Sequence, residues 1–206
     1  MEFASFNLNE FEASRGRKRL DLAAKLDSIL MSSGFLLLSG HGVPNGTIEN
    51  QWAAVSTFFD LSRGQKSKLA APYPGYPYGW IGPDKEALAA SKGEKTPPDL
   101  KESFNGGPLH VPDDIFDPQA FDFCYQPTLW PELDGFKAAW TAYYGEMEQL
   151  AASLMSAFAE ALKLERTFSN KFIDAPISAL RALNYPATRG EIAAKQQRAG
   201  AHTDYG

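Results

Sequence analysis

Apolar positions recur every three or four residues in three segments of the chain, and this spacing predicts three amphipathic helices. The predicted helices cover about 15–33, 46–60 and 132–163. Ser14 is a candidate N-cap of the first helix, and Gly34 is well placed to end it in a left-handed conformation. The other two apolar stripes predict core packing and consist of Ile48, Trp52, Val55 and Phe59 on one helix and Phe136, Trp140, Tyr143, Met147, Leu150, Leu154, Phe158 and Ala161 on the other.

Four shorter segments have the pattern of β-strands. Residues 3–8 predict a short edge strand, and the continuous apolar run 35–39 predicts a strand buried on both faces. Segment 178–185 alternates between two faces, which carry Leu180, Ala182 and Asn184 on one side and Arg181, Leu183 and Tyr185 on the other. The polar segment 187–197 predicts a loop or hairpin arm, after which 198–206 is expected to return as a strand.

The segment 70–130 lacks a clear period and is rich in proline, glycine and aromatic residues. Outside this segment, Ser62 is expected to cap a short helix that ends near Leu69, and another short helix is expected near 167–173. An irregular stretch as long as 70–130 inside a domain is usually functional or ordered by its neighbours. Two interpretations fit it: one wall of a small-molecule pocket, which aromatic side chains commonly line, or a surface loop packed over a core.

The composition is that of a soluble globular protein, with 44% hydrophobic and 22% charged residues among 206. This length suffices for one domain, or for one domain and part of another. A net charge of −5 gives no footprint for nucleic acid or an anionic membrane, and no apolar run is long enough to span a bilayer. The single cysteine, Cys124, excludes an intrachain disulfide framework, and the first residues have no signal-peptide pattern, so a cytoplasmic location is expected.

The stretch 198–206 carries the clearest candidate chemistry, because His202 and Asp204 lie two residues apart. If this stretch is a strand, both side chains project from the same face. One imidazole and one carboxylate on one face can bind a single divalent metal, and a second histidine would complete the facial triad of a non-haem Fe(II) site. A hydrogen-bonded His–Asp pair with a purely structural role is the alternative.

The remaining histidines and the cysteine are weaker candidates. His41 lies between two glycines and is either a third ligand or catalytic base, or a turn histidine whose ring bonds to the backbone. His110 lies in a proline-rich loop and is expected at the surface. Cys124 is expected to be a small buried side chain, because nothing adjacent in sequence would lower its pKa.

Six short motifs follow one another along the chain. They are Gly34-Phe-Leu-Leu-Leu-Ser-Gly-His-Gly-Val-Pro44, Phe58-Phe-Asp-Leu with Lys66-Ser-Lys68, Gly75-Tyr76, Asp99-Leu-Lys-Glu-Ser-Phe104, Leu180-Arg181 with Tyr185-Pro186, and Ala201-His-Thr-Asp-Tyr-Gly206. In order and spacing these motifs resemble the isopenicillin N synthase-like branch of the iron(II)/2-oxoglutarate-dependent dioxygenases. The resemblance covers essentially the whole chain.

The resemblance implies an α+β fold in which a helical N-terminal region packs on a double-stranded β-helix, or jelly roll, truncated at the C-terminus. Residues 1–130 would form the non-haem dioxygenase N-terminal region. Residues 131–206 would supply the long connecting helix and the first strands of the Fe(II)/2-oxoglutarate dioxygenase domain.

The resemblance also implies a chemistry, in which Fe(II) is held by His202, Asp204 and a distal histidine. With 2-oxoglutarate as cosubstrate and O2 as oxidant, a small organic substrate would undergo hydroxylation, desaturation or cyclisation. Tyr185 matches a family tyrosine that contacts the cosubstrate, but Leu183 stands where many members have asparagine, and a packed strand tyrosine is the alternative.

The family's distal histidine and its Arg-x-Ser motif have no counterpart in these 206 residues. These residues alone are therefore expected to bind iron weakly and to be inactive. The alternative function is that of a catalytically inactive relative, or a fragment, that acts as a small-molecule or protein binding module.

Overall fold

Two structural units each take two separate stretches of the sequence. The computed structural model describes residues 3–83, 85–93, 96–113, 117–187 and 192–202, and only the backbone of 90 and 91. Unit 1 combines Met1–Gln51 with Ala139–Pro176, and unit 2 combines Trp52–Ala138 with Ile177–Gly206. The predicted division into 1–130 and 131–206 concerns the family's domains and stays a prediction.

Unit 1 packs helices against a small parallel sheet. Its elements are β1 (Ser5–Asn7), α1 (Leu8–Ala13), α2 (Gly16–Ser33), β2 (Leu37–Ser39), the start of α3 (Asn45–Phe59) and most of α6 (Phe136–Ala161). β1 pairs with β2 in a register that places Phe6 beside Leu38. The core consists of Phe6, Leu8, Phe11, Ala23, Leu26, Ile29 and Ala157.

Unit 2 is organised around an antiparallel sheet of three strands in the order β3–β4–β5. Its elements are the rest of α3, α4 (Arg63–Ser67), β3 (Gly79–Ile81), β4 (Glu102–Gly106), α5 (Pro118–Cys124), the start of α6 and β5 (Leu180–Asn184). Phe58, Phe104 and Phe136 form an aromatic core, with ring centroids 5.0 to 5.5 Å apart. Such tilted and edge-on ring pairs are favourable beyond the area that they bury.

Several local predictions are confirmed. Gly34 ends α2 with a φ of 70°, and its N–H donates to the Leu30 carbonyl at 2.8 Å. Ser62 caps α4 in a reciprocal capping box with Gln65. The two faces of β5 differ in burial as the alternating pattern predicted, with the face of Leu180, Ala182 and Asn184 the less exposed.

The predicted cap at Ser14 is wrong, because an additional helix precedes it. Asn7 caps α1 by accepting the Glu10 N–H at 3.0 Å, and Ser14 lies at the end of that helix. The Ser14 hydroxyl donates to the Phe11 carbonyl at 2.6 Å and makes no side-chain bond to the start of α2. Six residues are too few to show a helical period, so the apolar pattern could not reveal α1.

The strand predicted at 35–39 is not buried on both faces. Leu36 and Leu38 pack against the core of unit 1, whereas Leu37 is 56% exposed. A continuous apolar run becomes doubly buried only when other elements cover both faces of its sheet. Among the described residues of unit 1, the helices cover one face of this two-stranded sheet.

The buried side of α3 agrees with the predicted stripe at Val55 but has Gln51 and Phe58 in place of Trp52 and Phe59. Trp52 is 68% exposed, while Gln51, Val55 and Phe58 are buried. Phe58 belongs to the aromatic core of unit 2, and this packing selects the i, i+4, i+7 face that includes Gln51.

The segment 70–130 contains two strands that its sequence did not predict. β4 is the central strand of the unit 2 sheet although it reads Glu-Ser-Phe-Asn-Gly, and its residues are mostly buried. Conversely, residues 198–202 form no strand in the described part of the C-terminal stretch. The helix expected near 167–173 is a short 3-10 turn, Asn170–Phe172.

Candidate functional site

Asp99 is a buried carboxylate that holds two loops of unit 2 together. Its side chain is 2% exposed, and its two oxygens accept different backbone donors. Oδ1 accepts the Gly200 N–H at 3.0 Å, and Oδ2 accepts the Leu88 N–H at 3.1 Å. Hydrogen bonds to a charged acceptor are about twice as strong as neutral ones, so this carboxylate fixes both segments.

Further hydrogen bonds attach the segment before His202 to the loop that carries Asp99. The Leu100 N–H donates to the Gln197 carbonyl at 2.9 Å, and Gln196 Nε2 donates to the Pro98 carbonyl at 2.9 Å. Hydrogen bonds to the loop at 98–100 therefore hold residues 196 and 197, and the described residues 198–202 of the predicted strand form no strand pairing.

His202 follows directly, and its ring contacts the backbone of its own segment. Nδ1 lies 2.8 Å from the Gly200 carbonyl oxygen. When Nδ1 carries the proton, this contact fixes the ring tautomer in which Nε2 presents a lone pair. A metal-binding imidazole usually donates its second ring N–H to a carbonyl or carboxylate in this way, so the chemistry of His202 fits an Fe(II) ligand.

Asp204 lies outside the described residues, so its predicted position on the same face as His202 stays a prediction. Within the described residues, no group of three or more His, Cys, Asp or Glu side chains is close enough to hold a metal ion. The structure therefore presents one imidazole of suitable chemistry, in a segment whose backbone is anchored by Asp99.

β5 leads to Tyr185, the predicted cosubstrate residue. Tyr185 is 37% exposed and directly follows the strand. Leu183 is also exposed, while Asn184 is half-buried and donates from Nδ2 to Glu102 Oε1 at 2.9 Å. Asn184 therefore bonds within the sheet, and Leu183 stays the residue at the position where many family members have asparagine.

Glu102 is the acceptor of a buried polar network. Its Oε1 pairs with Lys66 Nζ at 2.8 Å, and its Oε2 accepts the Trp80 Nε1–H at 2.6 Å. Lys66 also donates to the Phe59 carbonyl at 2.7 Å, so the ammonium is well satisfied although it is buried. This network joins α4 and all three strands, and it is part of the scaffold.

Glu86 links the loop before β4 to β5. Its carboxylate pairs with Lys101 at 3.0 Å and with Arg181, which also donates to Ser103 Oγ at 3.0 Å. Burial raises the pKa of Glu86, but the hydrogen bond from Lys101 and the charge of Arg181 outweigh it and lower the pKa below its ordinary value. Glu86 therefore stays ionised and holds both cations.

The remaining candidates are His41, His110 and Cys124. His41 Nδ1 accepts the Val43 N–H at 3.1 Å, which confirms the turn histidine bonded to backbone. His110 is exposed, as predicted. Cys124 is half-buried rather than fully buried as predicted, and its backbone carbonyl accepts a hydrogen bond from the Tyr78 hydroxyl. Burial and the neighbouring Cys124 raise the pKa of Tyr78 to about 12.

Sequence reasoning missed Asp99 and Glu102 as individual residues. Both lie in the Asp99-Leu-Lys-Glu-Ser-Phe104 motif, which was noticed only as a whole through the family resemblance. The available signal was charge density, because three ionisable residues fall within four positions between a proline pair and a phenylalanine. No helix among the described residues is both long and apolar enough to cross a bilayer.

Comparisons with known proteins place these features in a family. Residues 5–133, more than half of the chain, match the sequence family described as "non-haem dioxygenase in morphine synthesis N-terminal". Validamycin A dioxygenase of Streptomyces hygroscopicus subsp. limoneus is 33% identical over 97% of this chain and 54% of its own length. Proline hydroxylase buaE of Petromyces alliaceus is 28% identical over 100% of this chain and 62% of its own length.

A solved structure is similar along the same range. The crystal structure of a full-length Neurospora crassa protein in complex with alpha-KG has a TM-score of 0.80 and 25% identity, and the match covers 100% of this chain and 65% of that one. The chain thus spans between half and two thirds of the length of these relatives. From the family match and these likenesses together, the chain belongs to the Fe(II)/2-oxoglutarate-dependent dioxygenase family.

Proposed function

We propose that the complete protein is an oxygenase that couples decarboxylation of 2-oxoglutarate and reduction of O2 to the oxidation of a small organic substrate. Family membership supports the reaction class. The observation that carries the assignment to this chain's own residues is the contact between His202 Nδ1 and the Gly200 carbonyl. That contact prepares the imidazole for a metal through Nε2.

His202 and Asp204 are proposed as two of the three protein ligands of Fe(II), with a second histidine supplied from outside these 206 residues. An imidazole and a carboxylate are the donor types that a non-haem Fe(II) site uses. Bound Fe(II) would supply the redox chemistry that activates O2, and the four electrons that reduce O2 would come in pairs from 2-oxoglutarate and from the organic substrate. The chain's own contribution is to hold the imidazole in one tautomer and orientation.

Tyr185 is proposed to donate a hydrogen bond from its phenol hydroxyl to the cosubstrate. Its exposure after β5 supports this role, because a ligand can reach it. The proposed architecture is a helical N-terminal region, 1–130, followed by the first strands of a jelly roll in 131–206. The greater length of the relatives supports a jelly roll completed by further residues.

Anaerobic Fe(II) titration of the full-length protein tests the ligand assignment. Replacing His202→Ala removes one of three protein ligands, so we expect the Kd for Fe(II) to rise at least ~100-fold and succinate formation to be lost. His110→Ala is the matched control, because this exposed histidine belongs to the proline-rich loop, and it should bind Fe(II) like wild type. Wild-type Fe(II) affinity in His202→Ala would contradict the ligand assignment. A full-length wild-type protein that forms no succinate would contradict the proposed activity and favour the inactive binding module.

A further inference from the structure

The Asp99 carboxylate is buried, and both of its oxygens are used to bind backbone N–H groups. Those donors, Leu88 and Gly200, are more than 100 residues apart in sequence. The backbone N–H of Asp99 also donates to the Glu86 carbonyl at 2.8 Å, which fixes the loop on its own side. Asp99 therefore anchors two separate backbone segments, one through each carboxylate oxygen.

An ionised carboxylate is the only common side chain of this size that accepts at both ends. Asparagine offers one acceptor oxygen and one NH2 donor group. In place of Asp99, asparagine would set its NH2 group against one of the two backbone donors, Leu88 or Gly200. The exchange Asp99→Asn therefore removes one tether while it conserves the shape of the side chain.

Gly200 connects this anchor to the imidazole. Its N–H is held by Asp99, and its carbonyl oxygen lies 2.8 Å from His202 Nδ1. A Cβ at position 200 would lie 2.8 Å from the Ala89 nitrogen and 2.9 Å from the Ala89 Cβ, which is closer than atoms can approach without displacement. The backbone at Gly200 is thus fixed by a hydrogen bond and by close packing.

We infer that Asp99 is a positioning residue for His202, acting through Gly200. The inference rests on the proposed role of His202 as an Fe(II) ligand. The carboxylate sets where the Gly200 carbonyl lies, and this carbonyl sets the rotation and tautomer of the ring. Groups that orient metal-binding histidines commonly change metal affinity by about 10- to 100-fold when they are removed.

The test uses full-length protein carrying Asp99→Asn. We expect hydrogen–deuterium exchange at the Gly200 amide of the metal-free protein to accelerate about tenfold, and the Kd for Fe(II) in anaerobic titration to rise about tenfold. Gly200→Ala should produce both effects by a different route, because its methyl group would displace the segment from Ala89. This second variant keeps the inference testable if Asp99→Asn does not fold.

Two controls separate positioning from a general loss of stability. Glu102→Gln removes a buried carboxylate of the same unit whose partners lie elsewhere, and Gly64→Ala adds a methyl group in open space on α4. Both should retain the wild-type Kd for Fe(II) and wild-type exchange at Gly200, although Glu102→Gln lowers the melting temperature.

The outcomes distinguish this inference from the proposed function. If His202→Ala weakens Fe(II) binding while Asp99→Asn changes neither exchange nor Kd, or changes only one of them, the positioning role is overturned alone. An equal loss of Fe(II) affinity in Glu102→Gln would also overturn it, because destabilisation would then suffice. Wild-type affinity in His202→Ala would overturn the ligand assignment and, with it, the positioning role.

Discussion

At the scale of single residues, Glu102 shows how a charge is kept inside unit 2. Its two oxygens accept side-chain donors from Lys66, Trp80 and Asn184, at 2.6 to 2.9 Å. Removing a carboxylate and an ammonium from water costs several kcal/mol, and only good geometry with further hydrogen bonds offsets this cost. Replacing either residue of the ion pair of Glu102 and Lys66 alone is therefore destabilising.

We expect Glu102→Gln to lower the free energy of unfolding by about 3 kcal/mol, because the neutral amide leaves the buried Lys66 ammonium without a counter-charge. Urea unfolding followed by tryptophan fluorescence measures this loss. The double variant Lys66→Met/Glu102→Gln should recover more than half of it, since the unpaired charge is then absent. A loss below about 1 kcal/mol in the single variant would show that water solvates Lys66.

Residue-scale contacts of this kind were not predictable from the sequence. Lys66, Trp80 and Asn184 lie 36, 22 and 82 residues from Glu102, so no local pattern links them. Predictable residues were those whose role depends on their immediate neighbours. Gly34 and Ser62 were identified correctly because the end of a helix and a capping box are local events.

At the scale of elements, the end of α2 depends on backbone conformation alone. Gly34 has a φ of +70°, and a Cβ built there would meet nothing within 4 Å. Gly46, in the first turn of α3, also has open space around it, but its φ is not positive. Because neither position would cause steric overlap, a comparison of the two glycines isolates the cost of left-handed strain.

Replacing Gly34→Ala should lower the free energy of unfolding by about 1 kcal/mol, because an L-residue is strained at positive φ. Gly46→Ala should leave stability unchanged or raise it slightly, since alanine favours helix and restricts the unfolded chain. Thermal unfolding of the two variants beside wild type gives the comparison. Equal effects of the two substitutions would show that the left-handed cap contributes nothing.

Elements were predictable where apolar spacing matched their period, and this covers the long helices and β5. β4 was missed because its Glu-Ser-Phe-Asn-Gly sequence has neither alternation nor branched residues. Its burial comes from the aromatic core around Phe104 and from the polar side chains that bond to Glu102. The C-terminal stretch 198–206 was predicted to return as a strand after the polar segment 187–197. Its described part instead bonds to the Asp99 loop, and residues 198–202 form no strand.

At the scale of the whole chain, ionic contacts close unit 1 across its two stretches of sequence. Arg19 on α2 donates to both carboxylate oxygens of Glu160 on α6, at 2.5 and 2.6 Å. Arg166 pairs with Glu160 at 3.2 Å and with Glu12 at 2.7 Å. The contacts of Arg19 with Glu160 and of Arg166 with Glu12 join residues that are 141 and 154 positions apart, whereas Arg166 and Glu160 are close in sequence. Helix periodicity predicted none of these contacts.

The cluster gives unit 1 a stability that depends on pH. The hydrogen bond from Arg19, aided by the charges of Arg19 and Arg166, lowers the pKa of Glu160 below its ordinary value of 4.5 despite the opposing effect of burial. A carboxyl group with a lowered folded-state pKa stabilises the fold above its unfolded-state pKa. This contribution is lost as the pH falls from 4.5 through the folded-state pKa.

Glu160→Gln should therefore cost about 1 kcal/mol at pH 7, and the difference from wild type should shrink steadily as the pH falls below 4.5. Urea unfolding at a series of pH values measures both quantities. Glu165→Gln is the matched control, because Glu165 is exposed and has no ion pair among the described contacts of unit 1, so its difference from wild type should be small at every pH. A Glu160→Gln difference that stays constant down to pH values well below 4.5 would assign the loss to packing, because a loss caused by the ionised carboxylate must disappear as that carboxylate is protonated.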